Sequence, residues 1–184
     1  MSSLRSLALV IALILFWSTP SSAQNVGEKM MAALKRVFGE SAQAVVQSAT
    51  LSDQQLAAIR TVSGAGYTKN VSYYAVSVGG KRVGYGIVDD VKGKVKPITY
   101  AVIVDNNIAI KDLEVLVYRE TYGGEVQYDA FRKQFRGKGT RDAYRVGTDI
   151  RNVSGATISS NAVAGGTRKL MAVFNALKSA GALR

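Results

Sequence analysis

This 184-residue sequence predicts an α+β domain, in which an antiparallel β-meander is flanked by helices and a long C-terminal helix follows a hydroxyl-rich loop. Three observations carry that prediction. Between Tyr73 and Val117, short β-rich runs are separated by turn chemistry; two helical patterns precede them; and one long helical stripe closes the chain. Consecutive hairpins with helices outside them, rather than alternating with them, build an α+β layer architecture.

The chain opens on a different register. Arg5 is the only charge in the first 23 residues, Leu7 to Trp17 is an unbroken apolar run, and Ser21-Ser22-Ala23 is a small-residue cleavage site. Residues 1–23 read as a secretory signal peptide, cleaved after Ala23. The run is shorter than the ~20 residues a spanning helix needs, and an uncleaved N-terminal membrane anchor is the alternative. Both place the domain outside the cytoplasm, in the periplasm or an equivalent exported space.

The elements follow in order. Asn25 and Glu28 have the spacing of a capping box, and Val26, Met30, Leu34, Val37 and Phe38 recur at helical intervals until Gly39. Ser52 and Gln55 form a second capping box, with Leu51 and Leu56 as a hydrophobic staple, which predicts a helix from Asp53 to about Thr61. Residues 24–66 are thus read as an N-terminal helical segment. Tyr74, Val76 and Val78 alternate before Gly79-Gly80, Val83 to Val88 follows, and Asp89 to Gly93 reads as the next turn. Ile98 to Val104 is nearly all apolar and suits a central strand buried on both faces. Asp105-Asn106-Asn107 turns the chain into a run from Ile108 to Val117, whose apolar phase changes near Lys111-Asp112 and predicts a bulge. Tyr128, Phe131 and Phe135 give a short helix, and Ser160 to Lys178 the longest, with Gly181 just past its end.

Composition excludes much chemistry. There is no Cys and no His, so thiolate nucleophiles, disulfides, thiolate-held clusters, Ser–His hydrolysis and imidazole-based zinc sites all lack their essential groups. The formal charge is +11, falling to +10 once Arg5 leaves with the leader. A basic exported protein is drawn to an acidic redox partner, a phosphorylated ligand or anionic lipid head groups, and nucleic acid does not suit that location.

The chemistry concentrates in Asp149 to Asn161, the segment DIRNVSGATISSN. Ser154-Gly155-Ala156-Thr157 leads to Ser159 and Ser160 just ahead of the long helix. Gly155 permits a positive φ or a close backbone approach, and Ala156 keeps the next side chain small. Unpaired N–H groups and the helix dipole favour an anion such as phosphate there. Simple N-capping by Ser159 or Ser160 is the alternative.

SGATISS resembles the flavinylation signature of the FMN-binding domain family, found in subunits of the sodium-pumping NADH:quinone reductase, in Rnf-type complexes and in related exported proteins. The resemblance runs from about Tyr73 to Leu177, through Gly84-Tyr85-Gly86, Gly93-Lys94, Pro97-Ile98, Glu120, Gly123-Gly124 and Gln134 to Lys138. It implies that residues 67–184 form an FMN-binding domain. It further implies that Thr157 accepts FMN from FAD, as a phosphodiester, through a flavin transferase that releases AMP, with Ser154, Gly155 and Ala156 as the recognition core. The family often has Asp five residues before the acceptor; this chain has Asn152. The implied function is electron transfer to or from a membrane respiratory complex or soluble redox protein. A redox-sensing or assembly module and a free-standing flavin oxidoreductase are the alternatives.

Around that motif, Lys138 is the preferred cation for the flavin or its phosphate. It belongs to a basic cluster, Arg132, Lys133, Arg136, Lys138, Arg141, Arg145 and Arg151, opposed only by Asp142 and Asp149. The cluster reads either as a solvated face or as a surface for the flavin, an acidic partner or a membrane. Glu120 and Thr121 either meet the flavin edge or, through Glu120, cap the Gly123-Gly124 bend. Of Tyr73, Tyr74, Tyr85 and Tyr100, most are expected in the core, with one available to stack on the ring.

Overall fold

The computed structural model describes residues 22–183, with side chains from 25 onward. The predicted leader, 1–23, lies outside them apart from Ser22 and Ala23, which begin the first helix. Among the described residues no helix is long and apolar enough to cross a membrane.

Five antiparallel strands in the order β1-β2-β3-β4-β5 form one meander, and helices cover both faces, which is the expected α+β architecture. Helix α1 (Ser22–Phe38) lies on one face. Its apolar stripe, Met30, Ala33 and Leu34, is buried against Val76, Ala101, Ile103 and Leu116 of the sheet. Asn25 is an internal helical position rather than a cap, so the Asn25/Glu28 box marks no boundary; upstream carbonyls are already there for the first-turn donors. Gly39, at φ +99°, ends the helix and donates to the Lys35 carbonyl at 2.8 Å.

Strand β1 (Gln43–Thr50) pairs along its whole length with β2 (Asn70–Val78), so the 24–66 segment is not purely helical. Its sequence pattern is silent because it is an edge strand with little burial: neighbouring Val45 and Val46 are both exposed, and no alternation is needed. Helix α2 (Asp53–Ser63) realises its capping box, with Ser52 Oγ accepting from the Gln55 N–H and Gln55 Oε1 from the Ser52 N–H.

Strand β3 (Lys81–Lys92) runs through all but the last residue of the turn predicted from Asp89 to Gly93, and the chain reverses at 93–96, where the Gly93 N–H meets the Lys96 carbonyl at 3.0 Å. Tertiary partners override the local turn signal. Asp90 accepts from the Thr99 hydroxyl of the next strand, and Asp89 pairs with Lys169 at 2.7 Å. Strand β4 (Pro97–Asp105) is the buried centre, with Ile98 to Val104 all inside. It pairs with β5 (Ile110–Val117) through two register shifts. The first skips Lys111, as the phase change predicts; the second skips Leu116, which is buried under α1.

The larger core lies between the other sheet face and the C-terminal half of the chain. A 3-10 turn (Gly124–Gln127), helix α3 (Asp129–Arg132) and a second 3-10 turn (Lys133–Phe135) insert Phe131 and Phe135, rings 5.3 Å apart and fully buried. Tyr128, expected on the same stripe, is exposed. Helix α4 (Thr157–Ser179) starts three residues earlier than predicted and buries Val163, Leu170, Phe174 and Leu177 against the sheet and α2. Each such side chain contributes about 1.5–3 kcal/mol of burial, which fixes the helix and therefore the position of its first turn.

Candidate functional site

Thr157 is the first residue of α4, not part of a loop ahead of it. Gly155 stands at φ +81°, a conformation that reverses the chain in front of the helix and suits Gly alone among the four core residues. Ala156 follows, nearly fully buried, and its carbonyl accepts the Ser160 N–H at 2.8 Å. No side chain caps this helix start. Neither Ser159 nor Ser160 is the N-cap, because both are already inside the helix, so the capping alternative is corrected. The first-turn N–H groups remain available to an acceptor from outside.

The hydroxyls around this turn are not equivalent. Thr157 is exposed, and its Oγ1 accepts from Asn152 Nδ2 at 2.9 Å. Asn161, one turn on, donates to the Thr157 carbonyl at 2.8 Å. Ser159 is 4% exposed and shares a 2.8 Å hydrogen bond with the Tyr118 hydroxyl, and Ser160 is fully buried. Burial holds the Tyr118 phenol above its ordinary pKa, more than the Ser159 bond lowers it, so the phenol remains a proton donor, reaching the Tyr122 carbonyl. Ser154 is exposed one residue before Gly155.

A groove of about 280 Å³ opens over this turn, lined by Gly155, Ala156, Thr157, Ile158 and Ser159 around the start of α4 and by Lys94, Tyr122 and Gly123 from elsewhere. Tyr122, 84% exposed, and Ile158, 51% exposed, give it an apolar lip. Lys94 supplies the cation. These features suit a group with a flat apolar part and a phosphate: exposed aromatic and aliphatic surface, an uncapped helix start, an ammonium group and one accessible hydroxyl.

Other predicted residues are placed differently. Lys138 does not line the groove; its ammonium lies 3.6 Å from Asp142 and 3.3 Å from Asp149. Glu120 neither lines the groove nor caps the Gly123-Gly124 bend. Its Oε1 accepts the N–H groups of Val95 at 2.6 Å and Lys96 at 2.9 Å, and these bonds hold its carboxyl below the usual range. It therefore fastens the β3–β4 turn that carries Lys94. Thr121 is exposed and outside the lining. None of Tyr73, Tyr74, Tyr85 and Tyr100 lines the groove; the tyrosine that does is Tyr122.

The basic cluster divides in two. Arg132 pairs with Glu114 and Asp112, Arg136 with Asp112 and Asp129, and Lys138 as above. Lys133, Arg141, Arg145 and Arg151 are exposed and make no ion pair among the described residues. Sequence reasoning passed over Lys94, Tyr122 and Ile158 as site residues. Lys94 stood only within the Gly93-Lys94 pair, Ile158 only within SGATISS between the named hydroxyls, and nothing local to Tyr122 marks it.

No curated protein matches the chain at significant similarity. Residues 93–178, which span the turn bearing Lys94, the whole groove and nearly all of α4, match the family model of the FMN-binding domain.

Proposed function

We propose that this is an exported electron-transfer flavoprotein that holds FMN covalently on Thr157 through a phosphodiester and passes electrons to or from a membrane-bound or periplasmic redox partner. The observation that carries the reading is the placement of Thr157: it is the exposed hydroxyl in the groove lining, while Ser154, also exposed, lies outside that lining, Ser159 is buried and bonded to Tyr118, and Ser160 is buried. In the attachment step, Thr157 Oγ1 attacks the flavin-side phosphorus of FAD. A new P–O bond to Thr157 forms, the diphosphate P–O bond breaks, AMP leaves, and the hydroxyl proton goes to the transferase base or solvent. Lys94 and the first-turn N–H groups of α4 offset the negative charge on that phosphate. Tyr122 and Ile158 offer apolar surface to the ring. FMN, once attached, supplies the redox chemistry that a chain without Cys or His lacks.

A covalent link suits the exported location that residues 1–23 imply, since a dissociating flavin would be lost to dilution. The exposed Lys133, Arg145 and Arg151, with no ion pair among the described residues, favour an acidic partner by steering; contact with anionic lipid is a second use of the same charge. The test is co-expression of the full chain with a flavin transferase, followed by fractionation and intact-mass measurement. The expected product starts at Gln24, is recovered from the periplasm, and gains the mass of FMN less one water. An unmodified mass in that host, or cytoplasmic protein with Met1 intact, refutes the corresponding half of the proposal.

A further inference from the structure

A second concavity, of about 410 Å³, shares no lining residue with the groove and is lined chiefly by Tyr144, Arg145, Thr148, Asn161, Gly165 and Arg168. One wall is the segment 144–150, held rigid by its own bonds. The Asp149 carboxylate accepts the N–H groups of Tyr144 at 3.0 Å and Arg145 at 2.7 Å. The Arg145 carbonyl accepts those of Thr148, Asp149 and Ile150, each at 3.1 Å. The other wall is α4, where Asn161, Gly165 and Arg168 recur at spacings of four and three and so share a face. A Cβ on Gly165 would meet nothing within 4 Å, so the floor is open.

The charge in this pocket is unbalanced. No carboxylate lines it, and neither guanidinium has an ion pair among the described residues. The nearby Asp142 and Asp149 are occupied by backbone N–H groups and Lys138. Arg168 donates one bond to the Ser63 carbonyl at 3.1 Å, while its Nε–H is buried without an acceptor. A part-buried guanidinium without a counter-charge is costly, and a bound anion relieves the cost.

We propose that this pocket binds the phosphate group of a small phosphorylated molecule. Two guanidiniums offer forked donors, the Thr148 hydroxyl and Asn161 amide add neutral ones, and a phosphate monoester carries the double negative charge that matches. The volume leaves room for an organic portion beyond the phosphate. The proposal stands independently of flavin attachment and is tested on the mature full chain bearing Thr157→Ala, in which no flavin competes.

Calorimetric titration at low salt with inorganic phosphate, AMP and adenosine separates the free anion from its ester and from the base alone. Saturable one-to-one binding of phosphate or AMP, with adenosine silent, is expected. Arg145→Gln and Arg168→Gln should each weaken it by about fivefold or more, the loss of one charge-assisted bond. Arg141→Gln, exposed but outside the pocket, should change it by less than about twofold. Arg145 is exposed, so its variant keeps the fold even if the Arg168 variant does not. Absence of saturable binding at millimolar concentrations, adenosine binding as well as AMP, or Arg141→Gln matching Arg145→Gln each overturns the proposal.

Discussion

Two adjacent glycines in α4 should respond to alanine with opposite signs, because one faces the sheet and the other faces open space. A Cβ on Gly166 would stand 2.4 Å from Val91 Cγ1, 2.5 Å from the Tyr100 hydroxyl oxygen and 3.0 Å from its Cζ. Tyr100 is fully buried and its ring cannot swing away, so the helix must retreat by about 1 Å from a close-packed face. Overpacking of this kind costs about 1–3 kcal/mol, against a gain of about 0.5–1 kcal/mol from replacing a helical Gly by Ala. Gly166→Ala is therefore expected to lose about 1 kcal/mol net. Gly165→Ala meets nothing within 4 Å and should keep the whole propensity gain. The two variants then differ by about 2 kcal/mol, or roughly 4–8 °C in Tm for a domain of this size. Thermal melting followed by circular dichroism, with urea titration to confirm an unchanged m-value, measures it. Because α4 carries Thr157, Gly166→Ala should also slow flavin attachment while Gly165→Ala does not. Equal stability of the two variants, or the reverse order, would refute the close seating of α4 on Tyr100 and Val91.

Thr157→Ala should abolish denaturation-resistant flavin and leave the fold intact, Thr157→Ser should be partly modified, and Ser159→Ala should keep its flavin while losing about 1 kcal/mol with the Tyr118 bond; peptide mass mapping decides, and stoichiometric flavin on Thr157→Ala sinks the assignment. Asn152→Ala removes the donor to Thr157 Oγ1 and should slow attachment, whereas Asn152→Asp places an acceptor for the hydroxyl proton there and should speed it; identical single-turnover rates for all three residues would show that position 152 is a bystander. Burial opposes the charge on Asp149, but the Arg145 and Tyr144 N–H groups and Lys138 outweigh it and hold its carboxyl below the ordinary value of 3.8. Since the folded pKa is depressed, this stabilisation is present above the unfolded value and is lost as pH falls through the folded one; amide exchange in 144–150 should accelerate there, and Asp149→Asn should remove the step.

Much of this protein was legible without coordinates, where the signal is local. A capping box, a helical stripe, a phase change within a strand and a run of apolar residues all depend on neighbours within a few positions, so α2, the Lys111 bulge, the buried β4 strand and the body of α4 from Ser160 on could be read directly. Composition removed whole classes of chemistry, and the segment from Ser154 to Ser160 marked the candidate site. What needed the fold were relations between distant residues. Edge strand β1 leaves no periodic trace because neither of its faces must be buried, and Asp89-Asp90 reads as a turn until Lys169 and Thr99 appear opposite. Only the docking of α4 on the sheet decides that Ser159 and Ser160 turn inward while Thr157 stays exposed. Likewise, only the register of β3 with β4, fastened by Glu120 from beyond β5, brings Lys94 to a threonine 63 positions later, because the sequence specifies each element's chemistry but the packing of buried faces specifies which elements meet.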